Sequence, residues 1–116
     1  MAETTFLLLY TGGKMPEGPE ETKQVMGAWD SWMGKYQKAI VDAGNPTTPM
    51  AKTVSPDGKV TDGVSGTHIS GYTVIKAGSF DEAVEMAKSC PVLLGGAKVA
   101  VYETFDVMAM AQAGQN

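Results

Sequence analysis

Apolar residues change period several times along the chain, and each change marks an element. Over residues 4–11 they fall on both sides of an extended segment: Phe6, Leu8 and Tyr10 on one, Leu7 and Leu9 on the other. A strand apolar on both faces belongs in the middle of a sheet, covered above and below. Gly12 to Gly18 form a loop. Beyond it the spacing shifts to threes and fours through Val25, Met26, Trp29, Met33, Tyr36, Ile40 and Ala43, one stripe of an amphipathic helix. Pro19 suits a first helical position, and Glu20 and Glu21 complement the positive end of the helix dipole. Gly44 and Pro46 supply a stop, so the helix is predicted over 19–43. Gly27 and Gly34 interrupt it on nearly the same face. They are either surface glycines or places where another backbone comes close. Trp32 falls off the stripe and is expected at a subunit contact.

The second half alternates more weakly. Thr47–Val54 is predicted as an edge strand, because Pro49 cannot donate to a central ladder. Ser55-Pro56-Asp57-Gly58 is a turn, after which residues 59–62 continue a hairpin. A Gly-, Ser- and Thr-rich loop over 63–70 leads to a strand over 71–77. Ser79 followed by Glu82 forms a capping box, in which each side chain bonds the other's backbone N–H. The helix it opens carries Phe80, Ala83, Val84 and Ala87 on one face and closes at Pro91. A last strand runs over 98–105, and a tail from 106 to 116 carries Met108, Met110 and several alanines. The order is β-α-β-β-α-β in a single domain, 1–116, with its core over about 4–105. It implies an α+β, ferredoxin-like fold: a four-stranded antiparallel sheet with two helices on one face. The outer face of that sheet then needs a cover, and a second copy of the chain, through an isologous interface, is the simplest one.

Composition removes several functions. The chain has nine lysines, no arginine and a net charge of −4. It therefore lacks the bidentate groups that bind phosphate and guanine edges, and neither nucleic acid nor an anionic membrane is an expected partner. No apolar run approaches the length of a bilayer span, and no basic region precedes the short apolar segment near the start. The single Cys90 excludes an internal disulfide, and a reducing, cytoplasmic setting is expected. Following a helix, its thiol is read as a buried small hydrophobe. One His and one Cys make no zinc site, there is no acidic cluster for a hard metal, and no cofactor is expected. Gly12-Gly13-Lys14 lacks the spacing of a phosphate-binding loop, and two glutamates open the helix behind it.

Thr61-Asp62-Gly63, the strand start Gly71-Tyr72-Thr73-Val74-Ile75 and the helix Ser79-Phe80-Asp81-Glu82-Ala83-Val84-Glu85-Met86-Ala87-Lys88-Ser89-Cys90-Pro91 together resemble the YCII-related family. Within it the chain is most similar to the DGPF branch, over about residues 4–105. It carries Val64-Ser65 where that branch has Pro-Phe. The resemblance implies a ferredoxin-like fold, a homodimer and a dimeric α+β barrel. It implies little about chemistry. In the broader family a His–Asp pair is suspected of acid–base work, and some members look like lyases. The helix region where that histidine lies has none here.

His68 is the only histidine and the natural acid–base group near neutral pH. It follows Asp62 by six residues in a polar loop and could pair with it, or be a loop residue without a role. Asp62-Gly63 equally suits turn formation. The leading expectation is a homodimer binding a small, mostly apolar organic molecule between the sheet and the loop 62–72. Tyr10, Asp62, His68 and Tyr72 are the polar groups placed near it. A lyase- or hydrolase-type enzyme using His68 as base with Asp62 orienting it is the first alternative. A non-catalytic interaction module working through the dimer or the tail 106–116 is the second.

Overall fold

In the computed structural model, which describes residues 3–108, strand β1 (Thr4–Thr11) is one of the two inner strands of the main sheet. After it come α1 (Gly18–Lys35), β2 (Ile40–Asp42), β3 (Lys52–Val54), β4 (Val60–Asp62), β5 (Ile69–Ala77), α2 (Phe80–Lys88), a 3-10 turn (Pro91–Gly95) and β6 (Lys98–Glu103). Strands β2, β5, β1 and β6 form one antiparallel sheet in that spatial order. With both helices on one side of it, this is the ferredoxin-like α+β arrangement. Strands β3 and β4 form a separate two-stranded hairpin. No described helix is long and apolar enough to cross a membrane.

The core lies between sheet and helices. Phe6, Leu8 and Tyr10 of β1 and Ile75 and Ala77 of β5 meet Trp32 of α1 and Ala83, Met86 and Ala87 of α2. Edge-to-face ring contacts run from Tyr10 to Trp29 at 6.2 Å, then to Trp32 and Tyr36 at 5.8 Å each. Trp32 is thus the buried residue of α1, not a contact residue outside the core, and its Nε1–H donates to the Met86 carbonyl at 3.0 Å. The face of α1 that packs on the core is Trp29, Trp32, Met33 and Tyr36, spacings that stay on one side of a helix. Gly27 and Gly34 face open space within the protomer.

Helix α1 ends at Lys35, eight residues before the end that the spacing predicts. Ala39 and Ile40 donate to the Tyr36 carbonyl in a tight turn, and Ile40–Asp42 then pairs with β5. Ile40 and Ala43 fit the helical stripe, but β-branched Ile40 and Val41 also fit a strand, and ladder pairing with β5 decides. The edge strand is therefore residues 40–42, and the segment 47–54 supplies only the first strand of the hairpin. Gly44 terminates no helix. Its φ is +75°, and a Cβ there would lie 1.7 Å from the Tyr72 carbonyl oxygen, so only glycine allows this approach.

The expected turn at Ser55–Gly58 is present. Gly58 donates to Ser55 O at 2.8 Å with φ +87°, and Asp57 Oδ1 accepts from Lys59 N–H at 2.9 Å. At the start of α2, Ser79 Oγ accepts from Glu82 N–H at 3.1 Å. The Glu82 carboxylate reaches one residue further back than a capping box requires and accepts from Gly78 N–H, also at 3.1 Å. The last strand stops at Glu103, two residues early, and the tail from residue 109 lies outside the described residues.

Inside the core one polar chain is fully paired. Tyr10 Oη donates to Thr73 Oγ1 at 2.6 Å, and Thr73 Oγ1 donates to the Ala43 carbonyl at 2.9 Å. Cys90 Sγ lies 3.5 Å from Tyr10 Oη as a weak donor. Burial pushes the Cys90 thiol above its ordinary value, partly offset by its bonds to Tyr10 and to the Val92 backbone.

Trp32→Phe keeps a ring but loses the bond to Met86 and part of the packed volume. It is expected to lower stability by about 1–3 kcal/mol, read as a lower urea midpoint at unchanged slope. The Cys90 thiol is expected to resist an aromatic disulfide reagent at pH 8 in the native protein and to react at once in denaturant. Labelling at equal rates in both would contradict its burial.

Candidate functional site

Pairing register assigns every sheet residue to one of two faces, because side chains alternate along each strand. Leu7 stands between Val74 and Tyr102, and Leu9 between Tyr72 and Ala100. All six lie on the side away from the helices. Leu7, Leu9, Tyr72 and Val74 are half-buried by their neighbours, while Ala100 and Tyr102 are exposed. Thr5 and Lys76, and Thr11 and Lys98, border the patch at its two ends. The result is an apolar surface with two phenols set diagonally across it, Tyr72 on β5 and Tyr102 on β6. Among the described residues, no helix or further strand packs against this side of the sheet. The described chain measures 58 × 42 × 18 Å. Its radius of gyration, 16.8 Å, exceeds the roughly 13 Å of a compact domain of this length.

The four residues expected at the site do not converge in the described chain. Tyr10 belongs to the inward row of β1 and is buried under the helices, whereas Tyr72, paired with Leu9, belongs to the outer face. The sheet itself separates them. The Tyr10 phenol, desolvated and hydrogen-bonded, is held far above its ordinary ionisation range, burial being the largest cause. It serves packing and cannot donate a proton to a ligand on the other side.

Asp62 ends β4 in the hairpin. Its carboxylate accepts from Lys52 Nζ at 2.7 Å across the ladder, with the Asp62 side chain 88% exposed. His68 is exposed in the loop just before β5. Among the described residues no hydrogen bond joins His68 to Asp62. His68 and Tyr72 are close in sequence at the start of β5, so they occupy the same end of the sheet.

Two of the best-formed surface grooves among the described residues contain none of these four residues. One, of about 770 Å³, runs along the ends of β1 and β6 between Glu3, Thr5, Glu103 and Phe105. The other, of about 410 Å³, lies between α1 and the 3-10 turn over Trp32, Cys90, Pro91 and Leu94. The first is polar and open. The second is apolar but floored by core side chains that already have partners. No group of three or more metal-ligating side chains occurs among the described residues.

Sequence reasoning found half of the outer face. Leu7 and Leu9 stood out because β1 is apolar on both sides. Val74, Ala100 and Tyr102 were missed as their companions. The signal that could have found them is the same alternation, once β5 and β6 are recognised as the flanking strands.

No protein-family model matches the chain, and no curated protein matches it in sequence. Among solved structures it is similar to 5-chloro-2-hydroxyhydroquinone dehydrochlorinase (TftG) from Burkholderia phenoliruptrix AC1100, in complex with 2,5-dihydroxybenzoquinone. The likeness has a TM-score of 0.52 at 18% identity and covers 90% of this chain and 97% of that one. At that identity it establishes a shared fold across nearly the whole of both chains.

Proposed function

We propose that the protein is a homodimer of the YCII-related kind, in which two sheets face each other as an α+β barrel and hold a small organic molecule. The observation that carries this is the uncovered outer face, Leu7, Leu9, Val74 and Ala100 with the phenols of Tyr72 and Tyr102. An apolar patch of this kind on a protomer marks an interaction surface. An apolar surface with a few polar groups is what a small-molecule site requires. Tyr72 and Tyr102 have hydroxyls that can donate to or accept from a ring substituent, while the leucines and Val74 supply the apolar walls. His68, at the same end of β5 as Tyr72, is the group placed at the rim. Tyr10 contributes from beneath, by fixing the strand that presents Leu7 and Leu9. The similar dehydrochlorinase structure holds a dihydroxybenzoquinone, which supports a flat ring with polar substituents as the ligand class.

An acid–base enzyme of lyase or hydrolase type, with His68 as base and Asp62 orienting it, would require the Asp62 carboxylate to exchange Lys52 for His68 when ligand binds. That pair is exposed, and ion pairs of this sort contribute about 1 kcal/mol at most, so the exchange would cost little. Binding is the reading the geometry supports better, because it uses side chains already on one face.

Native mass spectrometry is expected to show a species of twice the 12.2 kDa chain mass. A monomer at micromolar concentration would overturn the proposal. Titration with 2,5-dihydroxybenzoquinone is expected to give saturable binding, weakened about tenfold by Tyr72→Phe, the equivalent of one lost hydrogen bond of about 1.4 kcal/mol. Unchanged affinity in the variant would remove Tyr72 from the site. Asp62→Asn is expected to leave binding unaltered, and a loss there would favour the acid–base reading.

A further inference from the structure

The hairpin β3–β4 is short and stands away from the body. Three residue pairs make its ladder: Lys52 with Asp62, Thr53 with Thr61, and Val54 with Val60. The two strands pack on each other, and no helix or other strand lies substantially against them. Its base is pinned by Gly63 N–H to Ala51 O at 2.7 Å and by Thr53 Oγ1 to Gly63 O at 2.7 Å. Toward the tip the side chains are apolar and open to solvent. Val54 is 67% exposed, and its partner Val60 57%. Met50, just before the base, is also exposed.

A two-stranded hairpin of this length is marginal at best in water without a surface to pack on. Among the described residues, no other helix or strand packs substantially against it. The hairpin shares no ladder with the four-stranded sheet. It departs from one corner of the sheet, where Pro46 bridges Gly71 and Thr47 N–H bonds Ser70 O at 2.9 Å. That corner is the end of β5 bearing Tyr72. In a dimer packed through the outer faces, this corner lies at the edge of the interface, so a hairpin rooted there is within reach of the partner. The arm is also electrically balanced, Lys52 and Lys59 against Asp57 and Asp62, so two acidic protomers can accept it without added repulsion.

We infer that the hairpin is an exchanged arm: Val54 and Val60 of each protomer are buried against the other copy of the chain, closing the end of the barrel beside Tyr72. The inference rests on the dimer reading above and adds to it the element that completes the interface. Each ligand site would then be built from one protomer's sheet and its partner's arm.

The test uses the full chain and a double variant, Val54→Lys with Val60→Glu. The two positions are cross-strand partners, so the new charges attract one another and the hairpin keeps its own pairing. By sedimentation velocity over a dilution series, the dimer dissociation constant is expected to rise at least about tenfold in the variant, about 1.4 kcal/mol. Far-UV circular dichroism and the thermal midpoint of monomer at low concentration should stay as in the parent. Amide exchange on the unmodified chain provides the second reading. Residues 52–54 and 60–62 are expected to exchange more slowly above the dimer dissociation constant than below it. A variant that dimerises like the parent, or arm amides that exchange alike at both concentrations, overturns the arm and leaves the dimer standing. A parent chain that is monomeric throughout overturns both.

Discussion

A phenol buried in an apolar layer must find a partner, and in this protein the partner it finds organises three strands. An unpaired hydroxyl in such a place costs about 1–3 kcal/mol. Tyr10 Oη avoids that by donating to Thr73 Oγ1, and Thr73 avoids it in turn by donating to the Ala43 carbonyl. The first bond ties β1 to β5. The second ties β5 to the residue just after β2. The same chain of bonds therefore aligns the inner strands and holds the return from α1 against the sheet, where Ile40 and Asp42 pair with β5. Trp29, Trp32 and Tyr36 then stack edge-to-face from the Tyr10 ring outward and seat α1 on the layer so formed.

Satisfying one side of the sheet this fully exposes the problem of the other. The pleat that buries Phe6, Leu8 and Tyr10 turns Leu7 and Leu9 the opposite way, and β5 and β6 add Tyr72, Val74 and Tyr102 to them. Three tyrosines of one sheet thus have different fates. Tyr10 is structural, desolvated and far from ionising, while Tyr72 and Tyr102 keep hydroxyls available on an apolar surface. The division between the buried and the outward-facing tyrosines follows from strand parity.

Charged groups take a small part. The ion pairs Lys52–Asp62 and Lys88–Glu85 are both well exposed. Pairs of that kind contribute little to stability. Their effect is local, holding the hairpin ladder and the last turn of α2. Asp62 accordingly belongs to the hairpin in this arrangement. The outer face of the sheet is built from apolar shape with a few hydroxyls, in keeping with a chain that has one histidine and no arginine.

Local pattern settled much of this protein. The two-sided apolar run at residues 6–10, the turn at Ser55–Gly58 and the Ser79 cap all follow from side-chain period and turn chemistry within a few residues of sequence, and each is present. The order β-α-β-β-α-β holds for the four-stranded sheet, but its second strand is Ile40–Asp42 and not 47–54, and the hairpin β3–β4 is inserted before the third. Tertiary structure decided where α1 stops. Ile40 and Ala43 fit the helical stripe, and only the presence of β5 makes a strand the better use of Ile40–Asp42. It decided Gly44, whose necessity comes from a carbonyl at position 72, and Trp32, whose partner is a carbonyl at position 86. It also separated Tyr10 from Tyr72. Each residue's place along its strand is legible in the sequence, but which face it shares with another strand depends on register. Register is set by the sum of long-range contacts across the sheet, and a single chain position carries no record of it.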